Sequence, residues 1–177
     1  MQKKYDTTVL GLYVLDILGR PISKIPEGGN LAYIEELRLT VAGTAGGTVV
    51  DCAKLGVSTL GVGAVGDDEK ADFVISTLEK FGVDTSGFER LKGIPTSSTI
   101  LNIRPNGERP ALHLRGACDH FLPPKKEKVD IFDCKVFHLG GTGLLKLLDG
   151  QVSVDLSGGF IRARVCGRVR FVSKPCF

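Results

Sequence analysis

Residues 42–56 read AGTAGGTVVDCAKLG, with three glycines in the first six positions, then an apolar pattern of Val49, Val50, Ala53 and Leu55, closed by Gly56. This is the pattern of a glycine-rich loop that feeds a helix. Gly43, Gly46 and Gly47 permit positive φ and a close approach to the main chain, which a side chain would hinder. Thr48 is expected to cap the helix with Asp51 as its capping-box partner, and Gly56 stands where a helix-ending glycine belongs. Such a loop either cradles a ligand or simply turns the chain, and its shape alone leaves both readings open.

Upstream, residues 7–15 (TTVLGLYVL) form a nearly continuous apolar run with β-branched and aromatic residues, the signature of a strand buried on both faces of a parallel sheet. Asp16 follows directly. At the C-terminal end of such a strand an acid is either a contact for a substrate hydroxyl or a solvated strand end or helix cap. Residues 17–41 carry Pro21, Pro26, Gly28 and Gly29, then alternate at Ile34, Leu37, Leu39 and Val41, which predicts a turn and one or two strands outside the main sheet.

Downstream, residues 57–65 (VSTLGVGAV) predict a second buried strand, and residues 68–81 a helix with Ala71, Ile75, Leu78 and Phe81 on one face, ended by Gly82. Gly61, Gly63 and Gly66 spell GxGxxG, and Asp84 follows at a distance that suits a dinucleotide site. The chemistry of the next turn argues against that reading. Asp67, Asp68 and Glu69 occupy the helix N-terminus where a pyrophosphate would sit, and three carboxylates there repel a dianion while complementing the helix dipole.

Residues 96–114 predict two strands joined at Pro105-Asn106-Gly107, a hairpin that pairs with the outlying strands of 17–41 to make a small flap. Arg115, Gly116 and Ala117 close the flap, with Arg115 expected in solvent. Residues 123–128 (PPKKEK) are a solvated connector, and residues 135–141 (KVFHLGG) the next buried strand, with His138 as a core histidine. His113 and His120 have no acidic or cysteine partner at useful spacing, so no triad or metal cluster is assembled from them.

Composition narrows the possibilities further. At 177 residues, 42% hydrophobic and 24% charged, the chain has the balance of one soluble globular domain. Five cysteines without a CxxC pair argue against a disulfide framework or zinc site. The N-terminus lacks a signal-peptide pattern and no apolar run is long enough to span a membrane, so a cytoplasmic location without membrane partner is the expectation. The net charge of +3 hides an asymmetry: residues 151–177 carry Arg162, Arg164, Arg168, Arg170 and Lys174 against Asp155 alone. The body of the chain is therefore slightly acidic, and no nucleic-acid partner is expected.

The order of these parts resembles the ribokinase-like, pfkB-type carbohydrate kinases over residues 5–150. The resemblance rests on AGTAGGTVVDCAKLG, on VGDD followed by a helix ending in FGVDTS, and on the PNGER hairpin. It implies an α/β fold with a partial doubly wound, Rossmann-like, mostly parallel sheet and a small β-flap. It also implies a sugar or sugar-like substrate bound by Asp16 and by Gly43, Gly46 and Gly47, a β-flap closing over it, and phosphoryl transfer from ATP with Mg; pairing of two copies into a homo-oligomer through the flap is a further expectation.

Two departures qualify what the resemblance implies. The family usually places an asparagine where this chain has Gly47. Its second signature, a DTxGAGD-type turn that supplies the catalytic aspartate and anion-stabilising amides, has no counterpart in residues 142–177. Residues 151–177 are accordingly read as a basic tail foreign to the family, and the chain as a truncated member that binds ATP and Mg poorly and is inactive alone. A non-catalytic sugar-binding or interaction protein is the alternative. A half-sheet would also expose strand edges and apolar faces, which predicts association.

Overall fold

The computed structural model describes residues 3–125 and 127–149, together with the backbone of two short strands, Ser153–Asp155 and Arg162–Arg164. In chain order the elements are β1 (Tyr5–Gly11), β2 (Val14–Arg20), β3 (Glu36–Ala42), α1 (Thr44–Lys54), β4 (Thr59–Gly66), α2 (Glu69–Lys80), β5 (Asp84–Leu91), β6 (Ser98–Asn102), β7 (Ala111–Leu114), β8 (Cys134–Gly140), a short α3 (Lys146–Asp149), β9 (Ser153–Asp155) and β10 (Arg162–Arg164). A 3-10 turn spans Gly116–His120.

One sheet has the order β5-β4-β1-β8 with every pairing parallel. The second has the order β3-β2-β6-β7, with β2 and β6 parallel and the outer pairs antiparallel. This is the mostly parallel α/β sheet with a separate flap that the apolar runs and the Asn-Gly hairpin predict. β9 and β10 form an antiparallel pair, so part of the expected strand at 151–156 is seen. The remainder of the tail reading lies outside the described residues.

The run at 7–15 is two strands rather than one. At Gly11 the chain leaves the parallel sheet, passes through Leu12 and Tyr13, and enters the flap as β2. Gly11 takes φ 147°, and a Cβ there would overlap the Gly140 carbonyl of the neighbouring strand. Only a glycine permits that departure. Asp16 therefore lies inside a flap strand, and the expected strand end at Leu15 is corrected.

Both faces of the parallel sheet are covered. Leu10, Leu60, Val62 and Ala64 pack with Phe121, Ile131, Leu145 and Leu148 on one side. Val9 and Val65 pack with Tyr13, Ala45, Val49, Ala71, Val74 and Leu78 on the other, where α1 and α2 lie. Along β4 the side chains alternate, so Leu60, Val62 and Ala64 fill the first face while Gly61 and Gly63 leave a slot in the second. The Tyr13 ring fills it: a Cβ on Gly63 would stand 2.5 Å from Tyr13 Cδ2, and one on Gly61 2.9 Å from Phe88 Cε2. Tyr13 and Phe88 meet edge to face at 4.6 Å. The GxGxxG segment is thus a seat for an aromatic ring.

Three local expectations are revised. α1 starts at Thr44 with Gly43 as its N-cap, so Thr48 lies within the helix and donates from Oγ1 to the Thr44 carbonyl at 2.9 Å instead of capping. In α2 the buried positions are Ala71, Val74 and Leu78, while Phe81 is exposed beneath the Lys54 ammonium at 5.1 Å. β5 is a strand that the polar sequence DTSGFERL does not announce. Gly56 and Gly82 end their helices with φ 77° and 82°, as expected.

Candidate functional site

Three stretches of backbone converge where β1 ends. The Leu12 carbonyl accepts from the amides of Ala45 and Gly46, each at 3.2 Å, so the first turn of α1 is docked on the crossover between the sheets. Gly43 makes this possible, since it adopts φ 90° and a Cβ on it would overlap the Leu12 carbonyl. The β8 end closes in from the other side: a Cβ on Gly140 would lie 2.9 Å from the Ala45 amide, and one on Gly141 2.9 Å from Thr44 Oγ1.

Beside this joint lies a cavity of about 320 Å³, lined by Leu12, Val14, Asp16 and Gly43, by Thr99 and His113 of the flap, and by Arg115, Cys118, Asp119 and Leu144. Strand register explains the polar wall. Asp16 faces Thr99 in β6, and Thr99 faces His113 in β7, so the three side chains stand in one row across the sheet. Thr99 Oγ1 lies 3.0 Å from His113 Nδ1. Burial pushes the Asp16 carboxyl above its ordinary value, while Thr99 and the His113 ring hold the rise back.

The opposite wall is built by ion pairing. Arg115 donates from Nε to Asp119 Oδ2 at 2.7 Å and from Nη2 to Asp119 Oδ1 at 2.8 Å, a bidentate pair, and from Nη2 to the Leu144 carbonyl at 3.2 Å. Arg115, first of all, and the Lys146 amide lower the Asp119 carboxyl. Cys118 is buried behind this wall and donates its thiol to the Tyr13 carbonyl at 3.2 Å, and burial pushes its pKa up.

Of the residues expected at the site, Asp16 and Gly43 line the cavity. Gly46 is buried in α1 beneath Val41 and Tyr13, and Gly47 is a helical position with open space where a Cβ would stand. Arg115 is exposed to solvent, as expected, while its guanidinium is paired to Asp119 at the cavity wall. His113 stands in the same cross-strand row as the Asp16 acid, with Thr99 between them. The GDDEK turn does structural work: Asp68 caps α2 through the Ala71 amide and accepts from the Thr96 amide and hydroxyl.

Among the described residues no group of three His, Cys, Asp or Glu is placed to hold a metal ion. The first amides of α1 are already bonded to Leu12, so that helix end is not an open anion cradle. Among the described residues no helix is long and apolar enough to cross a membrane.

The fold and sequence have known counterparts. A potato (Solanum tuberosum) fructokinase is 30% identical over 120 residues, which cover 67% of this chain and 38% of that protein. A probable fructokinase-2 of Arabidopsis thaliana is 30% identical over 105 residues, covering 58% of this chain and 32% of the relative. The chain thus spans well under half the length of these curated relatives. Among solved structures, the ribokinase of Arabidopsis thaliana complexed with ribose and ATP superposes with a TM-score of 0.67 at 19% identity, covering 76% of this chain and 45% of that one. The nucleoside kinase of Methanocaldococcus jannaschii superposes with a TM-score of 0.64 at 23% identity, covering 84% and 50%. The model of the pfkB family carbohydrate kinases matches residues 9–156. Likeness in sequence and in fold thus point the same way, and the chain belongs to the pfkB family of carbohydrate kinases.

Proposed function

We propose that this chain carries the acceptor-binding half of a sugar phosphotransferase, and that a monosaccharide occupies the cavity between the flap and the parallel sheet. The observation that carries the reading is the Asp16 carboxylate, half-buried in a cavity of about 320 Å³ whose apolar walls are Leu12, Val14 and Leu144 and whose polar walls include Thr99, His113 and the Arg115–Asp119 pair. An ionised carboxylate accepts from two hydroxyls at once, and the cavity is near the lower end of small-ligand sites, about 300 Å³. Gly43 lets the sugar approach the main chain at the joint. In this reading Gly46 serves by packing, and the open space at Gly47 is where the related kinases would add a side-chain contact.

The proposal assigns the 177-residue chain binding without turnover and no tight ATP or Mg site, since nothing in residues 142–177 supplies the turn that the family resemblance calls for. It also assigns residues 1–150 to the kinase portion and residues 151–177 to a separate basic tail. For partners, it gives the flap a second copy of itself. The face opposite Asp16 carries the exposed Leu37, Leu39, Ile100, Leu112 and Leu114, all on one side by register.

Calorimetric titration of D-fructose and D-ribose into the chain tests the central reading. Asp16→Asn is expected to weaken binding on the order of ten- to a hundred-fold, the cost of exchanging a charged acceptor for a neutral amide. Equal affinity in both proteins would refute the assignment. A coupled ATPase assay with the same sugars is expected to give no turnover.

A further inference from the structure

We propose that Arg115 is a positioning residue that fixes the Leu144 wall of the cavity, and that this wall sets the length of sugar the site accepts. The proposal rests on the acceptor reading for its ligand but on independent geometry for its mechanism. Segment 141–146 follows β8 and has little regular structure of its own before the short α3. Its polar backbone groups are nevertheless closely accounted for. The Gly143 amide donates to Asp149 Oδ1 at 2.9 Å, the Leu144 amide to the Gly141 carbonyl at 2.9 Å, and the Leu145 amide to Asp149 Oδ2 at 2.8 Å. The Lys146 amide pulls down the Asp119 carboxyl, and the Leu144 carbonyl accepts from Arg115 Nη2 at 3.2 Å.

Of these polar contacts, the last two tie the segment to the flap side of the cavity, where Leu145 and Leu148 also pack in one cluster with Ala117 and Cys118. Asp149 belongs to the same stretch of chain and closes it locally, whereas Arg115 and Asp119 belong to the 3-10 turn that continues β7. That turn is itself anchored, because the Ser97 hydroxyl donates to the Arg115 carbonyl and accepts from the Cys118 amide, and the Ala117 amide donates to the Pro95 carbonyl. Arg115 is thus a rigid bracket: its bidentate grip on Asp119 orients the guanidinium, and the remaining Nη2 hydrogen holds the carbonyl of the residue whose side chain walls the site. Leu145 and Leu148 anchor the segment in the core, and of the two exposed leucines, Leu144 and Leu147, it is Leu144 that lines the cavity.

An apolar wall held at fixed distance discriminates one carbon of substrate length by on the order of ten-fold. Releasing the bracket relaxes that selectivity. The test uses hydrogen exchange and calorimetry on four proteins: wild type, Arg115→Gln, Asp119→Asn and Leu144→Ala. In the unliganded chain, Arg115→Gln and Asp119→Asn are expected to speed amide exchange in 143–146 at least ten-fold and leave β4 unchanged. The ratio of D-ribose to D-fructose affinity is expected to fall to within about two-fold of unity in all three variants, including Leu144→Ala, which removes the wall and keeps the bracket. Unchanged exchange in 143–146 would overturn the bracket, whatever the sugars do. Faster exchange with an unchanged ratio would overturn its role in selectivity. Failure of either sugar to bind the wild type would overturn the acceptor reading and the selectivity with it, an outcome distinct from both.

Discussion

Acidification should loosen the junction between α2 and the loop that leads into β6, and one carboxylate controls it. Asp68 accepts from the Ala71 amide at 3.0 Å, from the Thr96 amide at 2.9 Å and hydroxyl at 2.5 Å, and pairs with Lys70 at 3.0 Å. Burial alone would raise its pKa, but the Thr96 bonds, Lys70 and the Ala71 amide outweigh it and bring the carboxyl from 3.8 to about 2. Each tenfold change in proton affinity is worth about 1.4 kcal/mol, so the charged form adds roughly 2.5 kcal/mol to folding, and about 2 kcal/mol once screening of the surface Lys70 contact is allowed for. The folded pKa lies below the unfolded one. The contribution is therefore complete above about pH 5 and is lost as pH falls through 4 toward 2. Urea unfolding of wild type and Asp68→Asn at pH 7 and at pH 2.5 measures it. The gap between the two proteins should be about 2 kcal/mol at pH 7 and should largely close in acid. A gap that is the same at both pH values would refute the reasoning, because it would then come from lost packing or from amide mispairing.

Other substitutions separate the roles of neighbouring residues. Gly43→Ala should cost at least about 2 kcal/mol in thermal or urea unfolding, from a positive φ together with overlap on Leu12. Gly47→Ala, four positions on, should add about 1 kcal/mol, because the site is helical and open. Tyr13→Ala should lose about 3–5 kcal/mol by emptying the slot over Gly61 and Gly63. Thr8→Val should stabilise by about 1 kcal/mol, since the Thr8 hydroxyl is buried without a hydrogen-bond partner. Sedimentation should find association of the wild type reduced by Leu112→Lys on the outer face of the flap.

Much of the fold is legible because its signals are local. The apolar runs at 7–11 and 59–66, the periodicity of α2 and the Asn-Gly turn each carry their meaning within a few residues. What escapes local reading depends on partners distant in the chain. Residues 7–15 are a nearly continuous apolar run, and only the backbone of Gly140, far along the sequence, shows why Gly11 must end the strand. The acidic turn at 67–69 already argues against a phosphate loop, but what GxGxxG does instead shows only once Tyr13 is placed above it. β5 is composed of polar residues because, as an edge strand, it needs little apolar surface on its outer side. At the site, Asp16 stands out as an acid after an apolar run, but its companions Thr99 and His113 are chosen by register between strands. Arg115 is solvent-exposed as its sequence context suggests, but its partners, a carboxylate one turn ahead and a carbonyl 29 residues away, are fixed only by the fold.

The joint at Leu12 has a consequence for how such a site diversifies. The two sheets meet through carbonyls, amides and four glycines, Gly11, Gly43, Gly140 and Gly141, so the angle between them is written in main-chain distances. Side-chain replacement cannot retune that angle gradually, since the first added methyl already collides. Variation in what the cavity accepts must instead be carried by the residues that paper its walls, on the flap strands and on the segment after β8. The architecture thereby separates a part that tolerates almost no change from a part free to explore new ligands, with the acid at position 16 standing on the border between them.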